Sequence, residues 1–179
     1  MNITNTIFEG VFIIESEAHS DDRGFFERVI CHRELNSINP QFVQVNHSYN
    51  KQQGTFRGLH FQYPPFMENK LVKCISGAIV DIVVDLRKNS DTYLKHLMVN
   101  LTEENCKSIY IPHGFAHGFL TLKPDTHLIY FHSEYYTPNH EGALNLNDPA
   151  LEIQLPKDVQ VISEKDKNTP FIQSDFEGL

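Results

Sequence analysis

Two histidines, His60 and His117, lie in segments whose residue types are typical of buried strands. His117 ends the sequence Pro112-His113-Gly114-Phe115-Ala116-His117, and His60 lies within Thr55–Gln62. Imidazole exchanges protons near neutral pH and is also a common metal ligand. If the two segments meet in the fold, the pair indicates either a metal site or proton-transfer chemistry.

The spacing of Pro112 to His117 resembles the second histidine motif of cupin barrels. The first motif of such a barrel would need His-x-His, whereas this chain has His60-x-Gln62. Two imidazoles remain where three or four ligands would be expected around a metal. We therefore expect no metal and no other cofactor, and we expect the histidines to serve proton transfer on a bound small molecule.

The elements that must position these residues are predicted to be strands. Short runs of β-branched and aromatic residues alternate with turn residues along the chain, which favours an all-β, cupin-type jelly-roll barrel or sandwich over βαβ units. A few short helices are expected, at Cys31–Ser37 and behind the N-cap sequence Ser163–Asp166. The predicted strands are Val11–Ile14, Phe25–Ile30, Phe42–Tyr49, Thr55–Gln62, Leu71–Ile75, Ala78–Leu86, Leu97–Leu101, Ser108–Ile111, Phe115–Leu122, His127–Tyr136 and Ala143–Leu146.

Length and composition limit the class of protein. The 179 residues fit a single domain, 1–179, in which the polar segment from about 156 to 179 would close the barrel. A net charge of −8 argues against binding to nucleic acid or to an anionic membrane. The sequence has no apolar run of membrane-spanning length, and we expect no leader sequence. Three scattered cysteines fit reduced thiols in a cytoplasmic protein.

Strand alternation groups several chemically active side chains on inward faces. Asp81 lies in an apolar run, where a buried carboxylate needs a partner. Lys70 and Tyr130, taken singly, would be a solvated charge and a core aromatic. Arg57 falls on the face opposite His60, unless Gly58 lies in a bulge. Because inward faces converge in a small barrel, we expect one pocket that contains His60, Lys70, Asp81, His117 and Tyr130.

Motifs along nearly the whole chain resemble those of the dTDP-4-dehydrorhamnose 3,5-epimerases. The similarity extends to the spacing between the motifs. The matching segments are Asp22–Phe26, Phe42–Gln44, Asn46–Ser48, Arg57–Gln62, Lys70–Val72, Val84–Lys88, Gly114–Phe119, Tyr135–Pro138, Asn147–Pro149 and Lys165–Asp166.

The resemblance implies a metal-free jelly-roll homodimer that acts on a nucleotide-linked 4-keto-6-deoxyhexose. The implied reaction inverts C3 and C5 and converts dTDP-4-dehydro-6-deoxy-D-glucose to dTDP-4-dehydro-L-rhamnose, in deoxysugar biosynthesis. By the same resemblance, His60 is the base, Asp166 orients its imidazole, Tyr130 is the proton donor, and Lys70 faces the C4 oxygen. Part of the nucleotide site would come from the partner subunit.

Eight further positions match substrate-contacting positions of the family. One of them, a tyrosine, matches a residue that stacks on the nucleotide base, and two cations match contacts to the diphosphate or the sugar. The tyrosine is Tyr136, the cations are Arg23 and Lys165, and the others are Gln44, Asn46, Arg57, His117 and Glu141.

Two departures from the family pattern lie near the expected nucleotide end. Arg28 stands where a glutamate is usual, with glutamate one residue earlier at Glu27, and Val45 replaces an aspartate. These changes leave open a CDP-linked substrate, or epimerisation at a single carbon.

Two other classes of function remain open from the residues. The first is a metal-dependent cupin enzyme that uses His60, His117 and a carboxylate. The second is a sugar-nucleotide binding module without activity, against which the complete set of His60, Tyr130, Lys70 and Asp166 argues.

Overall fold

Two packed antiparallel sheets make up most of the computed structural model, which describes residues 1–38 and 40–179. The arrangement is that of a jelly roll, and the prediction of an all-β fold is confirmed. The strands are β1 (Asn2–Asn5), β2 (Phe12–Glu15), β3 (Ala18–Asp21), β4 (Gly24–Glu27), β5 (Gln44–Asn50), β6 (Phe56–Gln62), β7 (Lys70–Ser76), β8 (Ala78–Asp85), β9 (His96–Thr102), β10 (Lys107–Ile111), β11 (Phe115–Thr121), β12 (Thr126–His132) and β13 (Glu141–Ala143).

The strand order separates the two sheets clearly. One sheet has six strands in the order β1-β2-β10-β7-β12-β5, and the other has five in the order β13-β6-β11-β8-β9. Strands β3 and β4 form a hairpin apart from both sheets. Strands β5, β7 and β12 therefore face strands β6, β8 and β11 across the space between the sheets.

The space between the sheets is apolar at one end. Val72 and Leu128 from the first sheet, and Ile79 and Val83 from the second, are fully buried in one cluster. Toward one end of the same inward faces the side chains become polar, because Lys70 precedes Val72 on β7 and Tyr130 follows Leu128 on the antiparallel strand β12. The sheets thus hold a core and, beside it, a polar site.

A second cluster covers the outer face of the five-stranded sheet. Val80, Ile82 and Leu120 point outward from this sheet and are buried beneath apolar residues of the C-terminal part of the chain. That part contains helix α1 (Glu164–Lys167), and Ser163 caps it by accepting a hydrogen bond from the backbone of Asp166. The predicted helix start is confirmed. The covering residues include Ile153, Leu155, Val159, Ile162, Ile172 and Phe176.

The helix predicted at Cys31–Ser37 was wrong. The segment forms turns with one helix-type hydrogen bond, from the Leu35 amide to the Cys31 carbonyl. Leu35 is buried against the six-stranded sheet, and Glu34 is drawn into ion pairs with the N-terminus and Arg28. These tertiary contacts outweigh the weak helix propensity of the sequence.

Several strand boundaries also differ from the prediction. Strands β1 and β3 were not predicted, because Asn2–Asn5 and Ala18–Asp21 lack the apolar alternation that identifies a half-buried strand. Strand β12 ends at His132, before the predicted end at Tyr136. Strand β13 ends at Ala143, where the last predicted strand begins. None of the helices that the structure describes has the length and apolarity to cross a bilayer.

Candidate active site

A cavity of about 570 Å³ opens between the sheets beside the apolar core. Strands of both sheets line it, together with residues at the start of α1. Its walls combine cations, imidazoles, a phenol and a carboxylate, which suits a polar small molecule. Eight of the predicted site residues line it, namely Asn46, Arg57, His60, Lys70, His117, Tyr130, Lys165 and Asp166.

His60 and Asp166 form a hydrogen-bonded pair in the wall of the cavity. The His60 Nε2 atom lies 2.8 Å from Asp166 Oδ1, and the Gly58 amide donates to Asp166 Oδ2 at 3.4 Å. Burial alone would raise the pKa of Asp166, but the hydrogen bond and charge of His60 lead the interactions that outweigh burial and lower it. Asp166 is therefore an anion that holds one ring nitrogen of His60 and leaves Nδ1 for a bound molecule.

A bulge in β6 brings Arg57 and His60 to the same cavity. His60 pairs with His117 and Arg57 pairs with Phe119, and the register shifts between these two positions. Gly58 has φ +131°, and a Cβ atom there would lie 2.5 Å from the Gly118 Cα. The bulge turns Arg57 to the face of His60, which strict strand alternation would not allow.

Two further polar pairs fix residues of the cavity wall. His117 Nε2 lies 2.7 Å from Asp81 Oδ2, and Asp81 is fully buried on the neighbouring strand β8. The expected partner of the Asp81 carboxylate is thus His117, so Asp81 lies behind the wall rather than on it. The Arg57 Nε atom donates to Asn50 Oδ1 at 2.8 Å.

Lys70 carries an ammonium group and is almost completely buried. Its Nζ lies 3.1 Å from Glu68 Oε1, and it donates to the His60 carbonyl at 3.4 Å. The other carboxylate oxygen of Glu68 lies 2.7 Å from His132 Nδ1. Lys70 thus brings a positive charge, fixed in position by Glu68, to the wall of the cavity.

Tyr130 supplies a phenol between the core and the cavity. Its ring centroid lies 6.3 Å from that of His117 and 6.3 Å from that of Phe119. Desolvation of the buried phenol is the largest of the effects that raise the pKa of Tyr130 well above its usual value of about 10. The hydroxyl therefore keeps its proton at neutral pH and can serve as an acid.

Three more predicted residues lie at the rim, next to cavity-lining side chains. The Tyr136 hydroxyl donates to Glu141 Oε2 at 3.1 Å, and Lys165 pairs with the same carboxylate. Gln44 Nε2 donates to Asn46 Oδ1 at 3.3 Å. The ring of Tyr136 is more than half exposed, so it offers a flat surface beside the cavity.

Arg23 is the predicted site residue that the structure places away from the cavity. It lies at the tip of the β3–β4 hairpin, pairs with Asp21, and has a side chain that is 90% exposed. Glu27 pairs with the buried Lys73 at 3.0 Å, and Arg28 pairs with Glu34. Both residues of this departure from the family pattern therefore form ion pairs with residues that do not line the cavity.

Sequence reasoning missed Glu68, His132 and Asn50, each of which contacts a predicted site residue. The alternation of β12 places His132 on the face of Tyr130, which is the signal that could have found it. No pattern marks Glu68, which precedes β7. Among residues 1–38 and 40–179, no group of three His, Cys, Asp or Glu side chains is arranged to hold a metal ion.

The geometry suits proton abstraction beside a carbonyl group. A carboxylate-backed imidazole can act as base, a protonated phenol as acid, and a fixed ammonium group can stabilise a developing oxyanion. All three groups line one cavity.

Comparisons with known proteins agree with this chemistry. A family model described as dTDP-4-dehydrorhamnose 3,5-epimerase matches residues 5–174. A protein of that name from Sinorhizobium fredii is 42% identical over 163 residues, which are 89% of this chain and 84% of the relative. The epimerase of Bacillus anthracis, solved with TDP and PPi bound, has a TM-score of 0.91 and 38% identity, covering 96% of this chain and 99% of that one.

Two further solved structures hold sugar nucleotides. The Legionella pneumophila 3,5-epimerase, in complex with dTDP-4-keto-L-rhamnose, has a TM-score of 0.89 and 35% identity, covering 95% of this chain and 92% of that one. ChmJ of Streptomyces bikiniensis, a 3'-monoepimerase in complex with dTDP-quinovose, has a TM-score of 0.87 and 30% identity, covering 93% of this chain and 85% of that one. The chain belongs to the dTDP-4-dehydrorhamnose 3,5-epimerase family.

Proposed function

We propose that this protein converts dTDP-4-dehydro-6-deoxy-D-glucose to dTDP-4-dehydro-L-rhamnose by inverting C3 and C5. The observation that carries the proposal is the His60–Asp166 pair, which shares one cavity with Lys70 and Tyr130. Membership of an epimerase family whose solved relatives bind dTDP and dTDP-sugars supports the substrate class. The whole chain, 1–179, would act as one domain.

His60 is the proposed base. Its Nδ1 takes the proton from the carbon beside the C4 ketone, while Nε2 is held by Asp166. The anionic Asp166 stabilises the imidazolium that forms, as the carboxylate does in other His–Asp pairs.

Lys70 and Tyr130 complete the proposed proton transfer. Removal of the proton leaves an enolate whose negative charge develops on the C4 oxygen, and the covered ammonium of Lys70 stabilises that charge. Tyr130 then gives its proton to the carbon from the opposite face, which inverts the centre. The raised pKa of Tyr130 keeps this donor protonated at neutral pH until the enolate forms.

The remaining predicted residues are proposed to hold the substrate. Arg57, His117 and Asn46 line the cavity and would contact the sugar and its neighbouring groups. Tyr136, at the rim, would stack on the nucleotide base. Gln44 is hydrogen-bonded to Asn46, and Glu141 contacts both Tyr136 and Lys165, so these residues would help to hold the sugar and the base.

We further propose that two copies of the chain pair and that each Arg23 reaches its partner's nucleotide. Phe25 and Phe26 on the hairpin are 60% and 69% exposed, and Val45 on the edge strand β5 is 59% exposed. An exposed edge strand beside apolar side chains is suited to burial against a second copy. Light scattering tests the dimer, and a monomer at micromolar concentration would contradict it.

The cytoplasm is the proposed location. The three cysteines, Cys31, Cys74 and Cys106, are free thiols in the structure, which suits a reducing compartment.

Proton NMR in D2O tests the proposed reaction. The dTDP-linked and the CDP-linked 4-keto-6-deoxyglucose would be offered separately, and deuterium entering C3 and C5 would be followed. We expect exchange at both carbons of the dTDP sugar. Exchange at only one carbon would favour a monoepimerase, the activity named for ChmJ. Exchange of the CDP sugar alone would identify Arg28 and Val45 as specificity determinants. Binding without exchange would favour a sugar-nucleotide binding module.

A further inference from the structure

Glu68 lies behind Lys70 and connects it to a second side chain of the cavity wall. One carboxylate oxygen, Oε1, lies 3.1 Å from Lys70 Nζ, and the other, Oε2, lies 2.7 Å from His132 Nδ1. The three side chains are only 9–12% exposed. A carboxylate with two acceptor oxygens therefore serves two donors in a nearly dry environment.

The hydrogen bonds continue from His132 toward the rim. His132 Nε2 lies 3.3 Å from Asn46 Nδ2, and Asn46 Oδ1 accepts from Gln44 Nε2 at 3.3 Å. Gln44 Oε1 in turn accepts from the backbone N–H of Tyr136 at 3.3 Å. A single chain of polar contacts thus runs from behind Lys70 to the residue proposed to stack on the base.

The two ends of this chain fix its direction. The Tyr136 N–H can only donate, and an ionised Glu68 can only accept, whereas an amide or a neutral imidazole can be turned either way. Each contact has one donor and one acceptor only if His132 carries its proton on Nδ1. Asn46 then donates to the bare Nε2, and its oxygen receives Gln44.

The charge state of Glu68 supports its place as the final acceptor. Burial alone would raise the pKa of Glu68. The hydrogen bond from His132 and the positive charge of Lys70 outweigh burial and lower the pKa instead. The carboxylate stays ionised at neutral pH.

We propose that Glu68 is a positioning residue that holds the Lys70 ammonium at the C4 oxygen and, through His132, orients the Asn46 and Gln44 amides toward the nucleotide. The inference rests on the proposed function for the roles of Lys70 and the amides. His132 is accordingly the residue that couples the reacting end of the cavity to the nucleotide end.

The wild-type protein tests the direction of the chain without any turnover. A long-range ¹H–¹⁵N NMR spectrum of histidine-labelled protein at pH 8 reports which ring nitrogen of His132 is protonated, and the signal is assigned by its loss in His132→Phe. We expect Nδ1–H with a bare Nε2. An Nε2–H tautomer, or an imidazolium, would overturn the proposal whether or not the protein epimerises anything.

Kinetics test the coupling to Lys70. In Glu68→Gln a neutral amide with one oxygen must serve two donors, so Lys70 loses its ion pair in either orientation and is no longer fixed in position. We expect kcat to fall about a hundredfold per folded enzyme, the effect of misplacing a catalytic group by about 1 Å. The control is Glu15→Gln, which removes a carboxylate from the exposed Lys107 pair on the outer part of the six-stranded sheet. Its kcat should stay within about twofold of wild type.

His132→Phe separates the two functions of Glu68, because it breaks the chain but leaves the Glu68–Lys70 pair. We expect KM to rise about tenfold, with a smaller loss of kcat than in Glu68→Gln. A purely structural Glu68 would instead lower the melting temperature and leave kcat per folded enzyme within about threefold of wild type, which would refute the positioning role. If Glu68→Gln does not fold, the wild-type tautomer and the His132→Phe kinetics decide. Absence of exchange by the wild-type enzyme would refute the proposed function. The tautomer of His132 would still test the direction of the hydrogen-bond chain, because that measurement needs no turnover.

Discussion

Replacing Asp166 with asparagine should nearly abolish epimerisation while leaving the fold intact. In the structure, Asp166 Oδ1 faces His60 Nε2 at 2.8 Å, and Oδ2 accepts from the Gly58 amide at 3.4 Å. Both neighbours are donors when His60 carries its proton on Nε2. An asparagine offers one oxygen and one NH2 group, so it cannot accept from both.

The size of the effect follows from this conflict. If the oxygen stays on the Gly58 amide, the NH2 group faces His60, whose Nε2 must then be bare and whose Nδ1 proton blocks the base. The reverse orientation leaves the buried Gly58 amide unpaired, which costs about 1–3 kcal/mol. Loss of the charged hydrogen bond to the imidazolium adds about 1.5–3 kcal/mol. Together the barrier rises by about 3–6 kcal/mol, a loss in kcat of about 10²–10⁴-fold.

The assay is solvent-deuterium exchange at C3 and C5 of the dTDP sugar, with melting temperature as the check on folding. Asp175→Asn, in an exposed position near the C-terminus, is the matched control and should keep wild-type activity. The reduction in a Ser-His-Asp triad for the corresponding change is about 10⁴-fold. A folded Asp166→Asn enzyme that retains more than a tenth of wild-type kcat would refute the orienting role of Asp166.

Three other substitutions test separate parts of the structure. Tyr130→Phe should keep deuterium exchange at the first carbon within about tenfold but reduce completed inversion about a hundredfold or more; equal retention of both would assign the acid to water or another residue. Gly58→Ala should lower the free energy of unfolding by about 3 kcal/mol, because its Cβ would meet the Gly118 backbone at 2.5 Å and its φ is +131°; an unchanged denaturation midpoint would contradict the bulge. Burial alone would raise the pKa of Asp85, but its hydrogen bonds, led by those from Arg87, Ser90 and Thr92, lower it to about 2. This folded pKa lies below the unfolded value, so the carboxylate contributes about 2 kcal/mol above about pH 4, and the contribution disappears toward pH 2. The melting temperature of Asp85→Asn should therefore be lower than that of wild type at pH 7 and converge with it near pH 2, and parallel curves would contradict the assignment.

The pocket could be predicted from the sequence because it depends on strand alternation. Lys70 and Tyr130 each continue an inward apolar face, so their side chains had to enter the space between the sheets. The orientation of Arg57 was predicted only conditionally, since alternation fails at a bulge. Gly58 indicated where the bulge could lie, and the register shift is found there.

Other parts of the site depend on contacts that no local pattern encodes. Asp166 is 106 residues from His60 and reaches it because the C-terminal segment pairs with the chain at the start of β6, where Val161 bridges Thr55. Only the family resemblance pointed to it, since the local sequence reads as a helix cap. Glu68 and His132 are 64 residues apart, and their pairing depends on how the segment before β7 meets the end of β12.

The same reasoning explains the errors in the fold. The segment Cys31–Ser37 has a pattern that allows a helix, but burial of Leu35 and the ion pairs of Glu34 determine its turns. Strand β3 is exposed along its length, so it carries no hydrophobic signal, and it exists because it pairs with β4.

The most direct test of the account is the comparison of wild type with His60→Ala in D2O, using the dTDP-linked 4-keto-6-deoxyglucose. We predict that the wild-type enzyme introduces deuterium at both C3 and C5, and that His60→Ala introduces it at neither carbon while its melting curve and circular dichroism spectrum match those of the wild type. Exchange at either carbon by a folded His60→Ala enzyme, above the rate without enzyme, would show that another group removes the proton and would contradict the assignment of His60 as the base.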